Sequence, residues 1–322
     1  MTGRRTVRRG ALVGALAGVL VLALAGCQTG RADDGGGAGS GGDVSDGGAD
    51  EGGDLPEITG DGSTLVFQVH SAGGYVPWGY DFASVPSLSV YADGTVIVSG
   101  PTTLEYPGKV LANLRVVHLP DGALEDLVET AADADLLAPE PDYGMPNVTD
   151  LPTTTVTIAV GGETFEHAAY ALGVGTDVGT DGNAPGDEGM VGGGDPGLTD
   201  EQSAARVALA QFVQQVNELV GAAGAEEPYP VTALGVLAMP VDPAAQAGTD
   251  GIEPQVVPWP VAGVALAGAG GCALVDGADA ETLLATLADA NQLTQFDQDG
   301  VVYQAWFRPL LPHEATCADL VG

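Results

Sequence analysis

Two pairs of alternating apolar runs, each closed by a turn that few residue types can make, restrict the fold of this chain more than any other feature. Leu88-Ser89-Val90-Tyr91 and Thr95-Val96-Ile97-Val98 flank Ala92-Asp93-Gly94, while Thr153 to Val160 and Glu163 to Tyr170 flank Gly161-Gly162. Asp-Gly and Gly-Gly supply the positive φ of a tight hairpin, so both pairs predict antiparallel ribbons. Such ribbons need a helical layer to cover one face. Pro120-Asp121-Gly122 opens a helix predicted through about Leu137, with Leu124, Leu127, Val128, Ala131 and Ala134 at helical spacing. A second helix starts at Thr199, where Thr199 and Gln202 fit a capping box; Ala205, Leu209, Phe212, Val213, Val216 and Val220 make its apolar stripe.

Further strands are predicted at Thr64 to His70, Leu114 to Leu119, Val231 to Ala238, Val261 to Ala267 and Val301 to Phe307, with a helix near Ala280 to Leu293. Hairpins with helices laid against them argue an α+β fold rather than a doubly wound parallel one. Asp121-Gly122-Ala123 and the residues that follow, Glu125, Leu127, Thr130, Ala132, Asp133, Ala134 and Leu137, recur with one insertion as Asp276-Gly277-Ala278, Glu281, Leu283, Thr286, Ala288, Asp289, Ala290 and Leu293. Two explanations fit this echo: a duplicated α+β unit, or convergence of two Ala-rich amphipathic helices.

Ahead of the folded sequence stands an export signal. Arg4, Arg5, Arg8 and Arg9 form its cationic region, and an uncharged apolar run follows from Ala11 to Ala25. That run is too short to span a bilayer comfortably, which takes roughly 20 residues. Leu24-Ala25-Gly26-Cys27 resembles the lipobox of bacterial lipoproteins, in which the cysteine is acylated and the chain is cut before it. An acylated Cys27 holds the protein to the outer face of the cell membrane without spanning it. The paired arginines leave the general secretory and twin-arginine routes both open.

The organisation this implies is a signal peptide over 1–26, a Gly- and Asp-rich flexible tether over 27–62, an α+β domain over 63–228, and a smaller α+β unit over 229–322 packed on it. A Gly- and Asp-rich run over about 173–197 reads as a disordered insertion. The tether reaches about 30 Å by random-coil scaling.

Loss of the signal leaves five basic residues against 44 acidic ones, a formal charge of −39. Phosphate backbones are repelled by such a surface, which excludes nucleic acid as a partner, and the same charge opposes anionic lipid, so the acyl anchor makes the membrane contact. With Cys27 acylated, Cys272 and Cys317 remain, and an oxidising exterior predicts their disulfide; two buried thiols are the alternative.

The lipobox and acidic tether, Gly73-Gly74-Tyr75-Val76-Pro77, the Ala92-Asp93-Gly94-Thr95 turn, Asp142-Tyr143-Gly144 with Val148-Thr149-Asp150, and Arg308-Pro309-Leu310-Leu311-Pro312-His313-Glu314 followed by Cys317 together resemble a group of uncharacterised actinobacterial lipoproteins over most of residues 63 to 318. The resemblance implies an exported, anchored protein and brings no activity with it. The acidic insertion is longer than such proteins usually carry.

Chemistry is sparse in the sequence. His70, His118, His167 and His313 stand apart, with no H-E-x-x-H and no cysteine at zinc spacing, so neither a metal nor a cofactor is expected. His118 and His167 read as strand residues, and His313 with Glu314 and Arg308 as an ion pair closing the C-terminal loop. No G-x-S-x-G, S-x-x-K or phosphate-cradling loop occurs. Asp177, Asp181, Asp187, Glu188 and Asp195 offer oxygen ligands for calcium but lack the spacing of a calcium loop; solvated chain is the alternative. Trp78, Tyr80 and Phe82 alternate, which on a strand sets three rings on one face, either as core or as a surface for a sugar or a partner protein. The function expected is a non-enzymatic binding or scaffolding component of the cell envelope, whose partner is an envelope protein or a glycan. The alternative is an envelope hydrolase with an unrecognised acidic site.

Overall fold

Both sequence-predicted hairpins form, and a seven-stranded antiparallel sheet grows around them. The computed structural model describes residues 55–176, 197–242 and 253–320. The first sheet contains β1 (Leu65–Ala72), β2 (Leu88–Tyr91), β3 (Thr95–Ser99), β4 (Leu114–His118), β5 (Thr153–Val160), β6 (Glu163–Tyr170) and β7 (Glu227–Pro228), in the order β6-β5-β1-β2-β3-β4-β7. Register follows the alternation in the sequence, with Ser89 opposite Ile97 and Val156 opposite His167. Short α1 (Tyr80–Ala83) follows β1, and α2 (Ala123–Asp133) and α3 (Asp200–Ala222) cover one face of this sheet. The α3 capping box is present: the Gln202 N–H donates to Thr199 Oγ1 at 3.2 Å and the Thr199 N–H to Gln202 Oε1 at 3.0 Å. Leu209, Phe212, Val213 and Val216 then meet Phe67, Val69, Val156 and Ile158, and Phe212 touches Phe67 edge to face at 5.3 Å.

The second sheet takes its strands from the last third of the chain: β8 (Ala233–Pro240), β9 (Val256–Pro258), β10 (Ala273–Asp276), β11 (Gln295–Gln298) and β12 (Val301–Pro309), ordered β10-β8-β12-β11-β9. Only β9 with β11 is parallel. α4 (Gly277–Leu287) packs Ala280, Leu283 and Leu287 on the face that carries Leu234, Val236, Phe296 and Phe307. The architecture is thus α+β, with helices on one face of each sheet. All described residues belong to one compact unit.

The second faces of the two sheets share a common filling, the segment from Leu310 to Leu320. Leu310 and Leu320 join Phe82 of α1 and Leu237 of β8, while Leu311 joins Tyr91, Ile97 and Leu114 of the first sheet. Cys272, just before β10, forms a disulfide with Cys317 across a Cα separation of 6.0 Å and ties this segment down. The Tyr229 hydroxyl donates to the Leu310 carbonyl at 2.9 Å.

Several expectations are corrected. No strand forms over 261–267; the chain turns there and makes a 3₁₀ turn at Leu266–Gly268. Val261 and Leu266 are buried, but the Gln298 side chain takes the place of a neighbouring strand, donating to the Val264 carbonyl at 3.0 Å and accepting from the Leu266 N–H at 2.7 Å. α2 stops at Asp133, short of Leu137, because Asp135 turns left-handed at φ 58°. α4 begins earlier than Ala280 and ends at Leu287, not Leu293. The end of the predicted tether is folded: the Gly161 N–H donates to the Glu57 carbonyl at 3.2 Å, and Ile58 packs on the core. The internal echo does not extend to topology, since the hairpin after α2 places its first strand inward in the sheet and the hairpin after α4 its second. Cys27, the signal peptide and the acidic residues Asp177 to Asp195 lie outside the described residues.

Candidate functional site

The three aromatic residues singled out by their alternation do not lie on a strand. Trp78 sits in a turn, and Tyr80 and Phe82 belong to α1. Residues two apart on a helix point about 200° from each other, so the rings separate. Phe82 is 6% exposed in the shared core, whereas Trp78 is 49% and Tyr80 57% exposed. Tyr75, which the alternation did not include, is 90% exposed. The sequence-predicted face of Trp78, Tyr80 and Phe82 is therefore replaced by an exposed loop of Tyr75, Trp78 and Tyr80 with Phe82 as its root.

This loop is held by close approach rather than by length. Gly79 has φ 82°, and a Cβ there would overlap the indole of Trp306 on β12, so only glycine lets the backbone rest on that ring. Trp78 meets the same indole edge to face at 4.8 Å. The Gly73 N–H donates to Asp81 Oδ1 at 3.1 Å, closing the loop on itself. Gly74 lies so near the next loop that a Cβ would come within 2.9 Å of the Asp150 carbonyl. The exposed Asp81 carboxylate thus lies within the loop, and exposed Asp150 sits in the neighbouring loop whose backbone rests against Gly74.

Behind the loop lies a buried polar seam that the sequence showed only in part. Arg308 Nη2 donates to Glu314 Oε1, Arg308 Nη1 to the Leu320 carbonyl at 3.2 Å, and Glu314 Oε2 accepts from the Leu311 N–H at 2.8 Å. Burial pushes the Glu314 carboxyl up and the Arg308 guanidinium down, more strongly than their mutual attraction opposes it. The expected ion pair therefore closes the C-terminal segment, but His313 is not in it. Its Nδ1 lies 3.0 Å from the Tyr91 hydroxyl and its Nε2 3.4 Å from Gln68 Nε2. His70, on the same face of β1, keeps Nε2 buried without a hydrogen-bond partner, and burial together with Arg308 pushes its imidazole down to about 4.

Elsewhere the buried His167 and Arg206 have structural partners. His167 is fully buried, and both ring nitrogens are satisfied, 2.9 Å from the Tyr143 hydroxyl and 2.9 Å from the Leu136 carbonyl. His118 is exposed at the end of β4. Arg206, invisible to sequence reasoning except as an interruption of the α3 stripe, is fully buried and donates to the carbonyls of Val174, Tyr143, Tyr170 and Ala171. Among the described residues no group of three His, Cys, Asp or Glu side chains could hold a metal ion, and no helix is long and apolar enough to cross a membrane. Glu314, whose carboxyl burial raises, has both oxygens engaged and is sealed from solvent.

The arrangement suits recognition by surface contact. Trp78 is fixed from behind by Trp306, and an exposed ring so held loses little freedom when it binds, which makes it an effective anchor. No family model, no curated protein and no solved structure matches this chain.

Proposed function

We propose that this protein is a membrane-anchored extracytoplasmic lipoprotein, acylated at Cys27, that works as a non-enzymatic binding component of the cell envelope. The anchor reading rests on the arginine-rich signal and on Leu24-Ala25-Gly26-Cys27. The observation that carries the binding reading is the exposure of Tyr75, Trp78 and Tyr80 on one loop braced by Trp306. Three large rings held in water on a rigid support gain nothing for folding by their exposure, and a partner surface gives them a use. The Tyr75→Ala/Tyr80→Ala form tests this by crosslinking on intact cells. A partner captured by the natural protein at stoichiometric yield should be lost by that form while the anchor and the fold are kept. Equal capture by both forms would remove the loop from the function. Cys27→Ala should release the protein from the membrane fraction; retention would refute the anchor.

A further inference from the structure

The loop and the point where the described chain begins lie at opposite ends of the first sheet. The described chain starts beside the β5–β6 turn, where Glu57 bonds Gly161 and where a Cβ on Gly161 would touch Pro56 at 2.9 Å. From there β1 runs its eight residues, about 25 Å, before it delivers Gly73 and the aromatic loop. Pairing sets the two ends of antiparallel β5 at the same poles, since Ala72 stands opposite Thr153 and Phe67 opposite Ile158. Whatever holds the chain upstream of Leu55 therefore joins one pole, and Tyr75, Trp78 and Tyr80 are displayed at the other.

Charge decides what can reach that pole. The described residues contain four lysine and arginine side chains. Arg206 and Arg308 are buried, and Arg115 is paired with Glu226 at 3.6 Å, which leaves Lys109 as the exposed cation outside an ion pair. A formal charge of −39 on the mature chain attracts cations from beyond contact distance and turns anionic polymers away. At the loop itself, the faces of Trp and Tyr rings bind cations, the exposed Asp81 carboxylate lies within the loop, and exposed Asp150 sits in the loop packed against Gly74.

We propose that this distal pole docks a cationic polypeptide segment, with arginine or lysine side chains laid on Tyr75, Trp78 and Tyr80 and paired to Asp81 and Asp150. The proposal rests on the binding reading above and names the partner's chemistry. Acidic charge spread over the whole surface steers the segment, and the aromatic loop fixes where it stops. The described chain begins at the opposite pole, so its upstream connection does not lie on the docking face, where a basic segment of another envelope or secreted protein can approach.

The test titrates an oligo-arginine peptide into the full mature chain in neutral detergent at 0.15 M salt, reading tryptophan fluorescence. Binding should be one to one. Tyr75→Ala/Tyr80→Ala leaves the net charge unchanged and should weaken it roughly tenfold or more. Asp81→Asn/Asp150→Asn should weaken it too, and Glu57→Gln/Glu163→Gln, which removes the same charge from the opposite pole, should leave it within about twofold. If the two carboxylate pairs act alike and the tyrosine pair has no effect, the peptide is held by diffuse charge and the proposal is overturned. Binding of a neutral chitin hexamer that depends on the tyrosines, with no such dependence for the peptide, also overturns it and makes the partner a glycan. Either failure leaves the loop's role in capture on cells standing or falling by its own assay.

Discussion

Glu314→Ala should be among the most damaging single substitutions in this protein, although the ion pair it breaks adds little net stability. The side chains of Arg308 and Glu314 are 4% and 2% exposed, so both charges have given up water. Burial weighs on each partner more than their attraction does, as expected of a pair that roughly breaks even against apolar residues of the same size. Removing the carboxylate alone leaves Arg308 charged and buried. Its remaining partner is the Leu320 carbonyl at 3.2 Å, and its Nε has none. The Leu311 N–H loses its acceptor as well. Breaking a buried pair costs about 3 to 5 kcal/mol, against a whole-domain stability of about 5 to 15 kcal/mol. Guanidinium unfolding at pH 7 with the disulfide intact should show that loss with an unchanged denaturant slope. Arg308→Met/Glu314→Leu should recover the part due to the stranded charge, leaving about 1 to 3 kcal/mol for the unpaired Leu311 N–H. A Glu314→Ala loss under about 1 kcal/mol would refute the buried charge as the cause. A double variant no better than the single one would refute the balance between desolvation and attraction.

Four further outcomes follow from the same packing. Burial, with Arg308 nearby, pushes the His70 imidazole down to about 4 from an ordinary 6.5, so the fold favours its neutral form; stability is full above pH 6.5 and falls as pH drops toward 4, by up to about 3 kcal/mol. His70→Gln should flatten that slope in unfolding curves taken across the window, although His313, also pushed down by burial, adds a smaller slope of the same sign. Gly235→Ala should cost about 1 to 3 kcal/mol by thermal unfolding, because the new Cβ would overlap Leu320 and reach within 3.1 Å of Phe82. Tyr143→Phe should cost about 1 to 3 kcal/mol, since it strands a buried nitrogen of His167; no measurable loss would mean that nitrogen has another partner. Cys272→Ser/Cys317→Ser opens a loop of 45 residues and should lower stability by about 4 kcal/mol, with proteolysis cutting first near the C-terminal segment.

What could be read without the structure was whatever depends on neighbours in sequence. The Asp93-Gly94 and Gly161-Gly162 turns dictate their hairpins locally, and the Thr199–Gln202 box starts α3 with its own side chains, so these elements stand where the residues put them. The disulfide followed from counting the cysteines left after Cys27. Two readings that failed depend on distant partners. Residues 261 to 267 have a strand's apolar content, but Gln298, more than 30 positions away, supplies the hydrogen bonds a neighbouring strand would have made. Trp78, Tyr80 and Phe82 alternate like a strand until Gly79 comes to rest on Trp306, and nothing near them in sequence announces that contact. Tyr75 breaks the alternation, yet it is the most exposed of the four rings. Arg206 gave no signal, since one arginine within an apolar stripe looks the same whether it turns to solvent or, as here, binds four carbonyls.

The seam and the loop are mechanically one construction. β12 carries Trp306 and Arg308 on the same face, two residues apart, so one strand braces the aromatic loop and holds the ion pair that fixes the C-terminal segment. That segment in turn touches Tyr91 and Gln68 of the first sheet through Leu311 and His313, and Phe82 through Leu310 and Leu320. A change that loosens the segment must therefore loosen the support of Trp78 and Tyr80 without touching either ring. Glu314→Ala, at temperatures where it is still folded, should raise hydrogen exchange in residues 73 to 83 as well as in 310 to 320. Exchange confined to the C-terminal segment would show that the loop is braced by Trp306 alone.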